Sequence, residues 1–200
     1  MKCHAIVFVV TLICIFQVHM AAKILALVPY KAESHFAVFD VLFNGLVSRG
    51  HHVVIVGHFP RKTPLENYKD ISINGSMPGL ANKVYFELDS ARMTFPPMRM
   101  FRDTTEKCEL VFKHSSVQEF LKYQDKFDVI ITEIFGSDCF LGFVHKFNAP
   151  YVGVMTSIAY PWAHYRLANP DNPAYIPNYF LPYTDKMNFM ERLMNIIYYI

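Results

Sequence analysis

The chain has 200 residues, a formal net charge of +2, and hydrophobic and aromatic shares of 52% and 16%. That length suits one domain or one half of a two-domain protein, with apolar material for a sizeable core and an apolar pocket besides. No Lys/Arg run or basic stripe is present, which argues against a nucleic-acid partner. Of the four cysteines, Cys3 and Cys14 fall in an apolar leader, and Cys108 and Cys139 belong to no Cys-x-x-Cys pair; neither a disulfide framework nor a zinc or redox motif is expected.

Residues 1–22 combine Lys2, an apolar stretch over 5–18 and the small residues Met20-Ala21-Ala22, the pattern of a secretory signal peptide. An uncleaved signal anchor is the rival reading, and either one sends the chain into the secretory pathway. Residues 24–29 then read as a strand, 30–36 as a loop containing Ser34, His35 and Phe36, and 36–48 as an amphipathic helix. Arg49-Gly50-His51-His52 turns the chain into a second strand over 53–56. This βαβ unit sets His35 where the first parallel strand hands over to its helix, the edge at which open α/β sheets bind ligands.

Further along, 57–64 is a loop and 68–73 a short strand. Residues 74–82 have turn chemistry, and Asn74-Gly75-Ser76 is a glycosylation acceptor that agrees with the secretory route. Residues 84–88 suit another strand. Pro96-Pro97 is expected to bar a regular helix from 93–101, and a helix is expected over 104–123 with Cys108, Val111, Phe112, Val117, Phe120 and Leu121 on its inner face. Residues 128–132 form a nearly continuous apolar strand, as a buried parallel strand should be. A helix over 137–147, a strand over 149–155 and a long loop rich in proline, asparagine and tyrosine over 160–182 come next. Apolar residues recur at helical spacing from 189 to 200, where the chain stops without a helix cap. It reads as truncated, or as one half of something longer. Strands alternating with helices predict an α/β fold built on a Rossmann-like, doubly wound parallel sheet.

Gly-x-Gly-x-x-Gly, the P-loop and Gly-x-Ser-x-Gly are all absent from the chain. What remains is His35 and two acids at another strand end: Glu133, directly after the strand over 128–132, and Asp138, at the start of the next helix. A carboxylate on one ring nitrogen would hold the other as a base toward a hydroxyl. The bland alternatives are a solvated loop histidine, a first-turn acid favouring the helix dipole, and an ordinary strand-end carboxylate. His51, His52 and His58 lack an acidic partner in the pattern, so no metal is expected. Met98 and Phe101, in the Met/Phe/Pro run over 93–101, read equally as core or as the wall of a lipophilic pocket. Tyr160 and Trp162 line the same cavity or pack the long loop.

These residues together carry a resemblance. Glu33-Ser34-His35-Phe36 and Ser48-Arg49-Gly50-His51-His52-Val53 resemble the N-terminal half of the UDP-glycosyltransferases, the insect branch in particular. So do Phe127-Asp128-Val129-Ile130-Ile131-Thr132-Glu133, Ala149-Pro150-Tyr151-Val152-Gly153, Asn172-Pro173-Ala174-Tyr175-Ile176-Pro177 and Asp185-Lys186-Met187-Asn188-Phe189-Met190-Glu191-Arg192. The resemblance covers essentially the whole chain, in order. It implies the N-terminal domain of a GT-B fold: a signal peptide over 1–22, an acceptor-binding Rossmann-like domain over 23–182, and the start of a linker helix over 183–200 toward a C-terminal UDP-sugar-binding domain.

The resemblance further implies that His35 is the general base of an inverting hexosyl transfer from a UDP-sugar to a small lipophilic acceptor, with Ser34, Phe36, Met98, Phe101, Tyr160 and Trp162 at the acceptor. The UDP-sugar is a co-substrate held mainly by the C-terminal domain, and no other cofactor is implied. Localisation in the endoplasmic reticulum lumen follows, with membrane attachment through a C-terminal helix. The family's acid that orients the histidine is usually an aspartate. Here the aligned position holds Glu133, with Asp138 one helical turn later, and Asp138 is the favoured partner because a short carboxylate at a helix start is rigidly held. The fragment alone is not expected to transfer sugar. A secreted module that binds a lipophilic ligand without chemistry, or an inactive truncated product, are the alternatives.

Overall fold

The computed structural model describes residues 21–77, 96–136 and 138–199, without the side chains of 96–103 and Pro161. The leader up to residue 20, the expected strand over 84–88, the side chains of Met98 and Phe101, and Ser137 lie outside the described residues. Five strands form one all-parallel sheet: β1 (Lys23–Val28), β2 (His52–Gly57), β3 (Tyr68–Ser72), β4 (Val129–Glu133) and β5 (Tyr151–Val154). Their spatial order is β3-β2-β1-β4-β5, so β1 is central and the order reverses between β1 and β4.

β1 is Lys-Ile-Leu-Ala-Leu-Val, buried from Ile24 to Val28. A strand covered on both faces has no need of polar alternation. Successive side chains nonetheless point to opposite layers. Leu25 stands in register between Val54 and Ile130, and all three enter one core; Ala26 stands between Ile55 and Ile131, and these enter the other. The second core is closed by α1 (Glu33–Val47), whose Phe39 and Phe43 are fully buried against it. The first is closed by α2 (Pro96–Phe112), α3 (Ser115–Phe120) and α4 (Leu141–Phe147), through Val111, Val117, Phe120 and Phe143. Gly50, at φ +86°, ends the turn after α1 in a conformation that a side chain would strain, and the His51 N–H returns to the Leu46 carbonyl at 3.2 Å.

Several expectations need correcting. α1 begins at Glu33, so His35 belongs to its first turn rather than to a loop. α2 begins at Pro96 itself: the first N–H groups of a helix have no intrahelical partner, so two prolines there remove nothing. The helix expected over 104–123 is two pieces, α2 and α3, broken at residues 113 and 114, although its inner face is the one foreseen. Cys108 and Cys139 are joined in a disulfide, which links α2 to the 3-10 turn Asp138–Phe140 ahead of α4. The long loop contains a short helix, α5 (Pro161–Arg166), and the chain closes with α6 (Phe189–Tyr199).

Candidate active site

His35, Phe39 and Phe43 are spaced four residues apart on α1 and share a helix face. Phe39 and Phe43 use that face to cover the sheet. One turn earlier the same face has run past the ends of the strands, so His35 lies over the carboxyl edge between β1 and β4. From β4, Ile131 belongs to the α1-side core, and period-two alternation sends Glu133 to that side as well. Val154, paired with Glu133 in the sheet, packs on the same core, and Thr156 follows it with the same parity. Three elements thus deliver three side chains to one point.

The geometry there is tight. His35 Nδ1 lies 2.5 Å from Glu133 Oε1 and 2.8 Å from Thr156 Oγ1. Thr156 donates its hydroxyl to the same Glu133 oxygen at 2.7 Å. Glu133 is 1% exposed, so its carboxylate sits in a low-dielectric setting where a charge-assisted bond is strong. With Glu133 accepting, Nδ1 carries the proton and donates, which leaves Nε2 with its lone pair free to accept a proton. Around the imidazole stand Tyr30, with ring centroids 4.8 Å apart, and Phe135, edge-on at 4.6 Å. Phe135 in turn contacts Tyr160 at 5.4 Å, and Tyr160 stacks on Trp162 at 4.7 Å. Burial, and then the Glu133 charge, push the Tyr30 phenol above its ordinary range, so it is a neutral hydroxyl at physiological pH.

Asp138, the favoured partner of His35, is elsewhere. Its carboxylate is bound by both terminal nitrogens of Arg166, one contact at 2.6 Å. The cause is topological: the turn carrying Asp138 and the helix α4 that follows it pack on the core opposite α1, through Phe140 of the turn and Phe143 of the helix. Glu133 is the acid on the histidine. Of the other expected residues, Ser34 is exposed. Phe36 packs on Phe59 at 5.2 Å and on the α1-side core, and Asn74 lies exposed in a turn. Tyr160 and Trp162 belong to the aromatic wall reached through Phe135. Thr156 escaped notice, since a lone threonine after a strand forms no motif; counting parity onward from Val154 would have found it. His58 is buried at the end of β2 with Nε2 3.1 Å from the Pro29 carbonyl. No group of three or more potential metal ligands stands together among the described residues.

The chain is 36% identical over 180 residues to UDP-glucosyltransferase 2 of Dactylopius coccus, an alignment covering 87% of this chain and 34% of the relative. It is 33% identical over 201 residues to UDP-glycosyltransferase UGT5 of the same organism, covering 96% of this chain and 38% of the relative. The chain belongs to the UDP-glycosyltransferase family. As a member of that family it spans about a third of the length of the curated relatives it matches. No protein-family model matches it. Among solved structures, CalG4, the calicheamicin glycosyltransferase, superposes with a TM-score of 0.46 at 14% identity, over 78% of this chain and 37% of that one. Among the described residues of this UDP-glycosyltransferase chain, no helix is long and apolar enough to cross a membrane.

Proposed function

We propose that this chain is the acceptor-binding, base-carrying part of an inverting UDP-glycosyltransferase, the N-terminal domain of a GT-B enzyme. Its substrate class is a small lipophilic alcohol or phenol. The observation that carries the reading is the His35 Nδ1–Glu133 bond of 2.5 Å, at the point where the strand order reverses and open α/β sheets bind ligands.

In this mechanism the acceptor hydroxyl lies against Nε2 of His35. The hydroxyl proton passes to Nε2 as the oxygen forms its bond to the anomeric carbon. The bond from that carbon to the UDP oxygen breaks, UDP leaves with the electron pair, and the configuration inverts. Glu133 stabilises the imidazolium that forms and fixes its ring, as the carboxylate of a catalytic triad does without itself taking the proton. Thr156 anchors both partners. The aromatic wall of Tyr30, Phe135, Tyr160 and Trp162 offers flat apolar surface to the acceptor. The UDP-sugar is held by sequence answering to the remaining length of the relatives. Entry into the secretory pathway through residues 1–22, action in the endoplasmic reticulum lumen, and a glycan on Asn74 belong to the same reading.

The experiment is turnover of UDP-glucose with a phenolic acceptor by a family-length protein carrying this chain. His35→Ala is expected to lower kcat by at least about a hundredfold while the protein still binds acceptor. Full turnover in that variant would remove the mechanism.

A further inference from the structure

Two half-buried lysines stand near Tyr30, the ring that flanks His35. Lys31 directly follows Tyr30 in the chain and donates to the Met77 carbonyl at 3.0 Å. Lys107, from α2, holds its ammonium 5.9 Å from the centre of the Tyr30 ring, the same ring that lies 4.8 Å from His35. Neither forms an ion pair among the described residues. The carboxylate at the site, Glu133, is committed to His35 and Thr156. Lys31 also stands close enough to His58 to repel its charged form. His58, buried nearby, is pushed down to about 4, first by burial, with Lys31 and His114 adding repulsion. A cation partly withdrawn from water and left without a counter-ion is costly, and the cost falls when an anion arrives with the ligand.

We infer that the crevice selects acceptors that carry an anionic group, such as an aromatic hydroxy acid, with Lys107 and Lys31 receiving the anion while the hydroxyl faces His35. This rests on the acceptor reading above and narrows it from lipophilic to lipophilic and acidic. Lys107 acts here as a specificity-determining residue; it takes no part in the proton transfer.

The test is equilibrium dialysis of the purified chain against 2-naphthol and 6-hydroxy-2-naphthoate at pH 7. The naphthoate is expected to bind about tenfold more tightly, the scale of one partly desolvated ion pair, and that advantage is expected to shrink as salt is raised. Lys107→Gln with Lys31→Gln is expected to bring the ratio of the two affinities close to one, and Lys107→Arg to keep it. Equal affinities in the wild type, or a preference that survives the double substitution, overturn the inference and leave the acceptor reading standing. Failure of both probes to bind overturns the two together.

Discussion

At the residue scale, the site is decided by which acid reaches His35. Glu133 does so because it closes β4 with the parity of Ile131, while the carboxylate of Asp138 is taken by Arg166. The two acids are therefore expected to behave differently in a family-length enzyme. Glu133→Gln should cut kcat tenfold to a hundredfold, the usual effect of removing the carboxylate that orients a working histidine. Asp138→Asn should leave turnover within a factor of about three and lower stability by about 1 kcal/mol, as befits a partly exposed ion pair. The reverse outcome would reassign the partner. His58 makes a second prediction. Its folded pKa is about 4 against an ordinary 6.5, because burial disfavours the charged ring. The unfolded chain therefore binds the extra proton first, so stability is full above pH 6.5 and declines as pH falls toward 4, by about 3 kcal/mol at the lower end. Urea unfolding across that window should show this decline in the wild type and a flatter profile in His58→Gln.

At the element scale, what the sequence makes legible is whatever periodicity and strand-edge logic encode. β1, α1 and β2 were readable from an apolar run, a helical stripe and Arg-Gly-His. β4 was readable from Val-Ile-Ile-Thr, and the inner face of α2 and α3 from spacing alone. Pro96-Pro97 misled because the rule against proline applies to helix interiors and the pair occupies a first turn. The Cys108–Cys139 link was hidden for a different reason: pairing depends on where α2 and the 3-10 turn before α4 come to rest, and spacing carries no such information. That link spans 31 positions in sequence and restricts the unfolded chain by about 3–4 kcal/mol in the loop-entropy account. Replacing both cysteines with serine should lower the urea midpoint correspondingly without altering the strand order. A change near zero would mean that the α2–α4 packing already holds the loop in the unfolded ensemble.

At the scale of the whole molecule, the sheet assembles the site and α6 packs on the segment around residues 173–178. His35, Glu133 and Thr156 lie far apart in sequence and meet because β1, β4 and β5 are adjacent and parallel. α6 is oriented against the usual rule for an amphipathic helix. It turns Asn195 inward, where the side chain donates to the Pro173 and Ile176 carbonyls at 2.7 and 2.8 Å and accepts the Asn178 N–H at 2.7 Å. Its apolar residues Phe189, Met190, Leu193, Ile196 and Ile197 share the opposite face and are exposed, Phe189 to 77%. These three hydrogen bonds satisfy the side chain of a fully buried Asn195, whose polar groups would be costly to leave unpaired; they set the helix's rotation, and the greasy stripe faces out. A contiguous stripe of that kind drives association in water. Light scattering of the purified chain is accordingly expected to show assemblies that grow with concentration and disappear in Phe189→Glu with Ile197→Glu, while far-ultraviolet circular dichroism stays unchanged. A wild-type chain that remains monomeric at high concentration would show that the stripe is covered in solution, and the rotation assigned to α6 would be wrong.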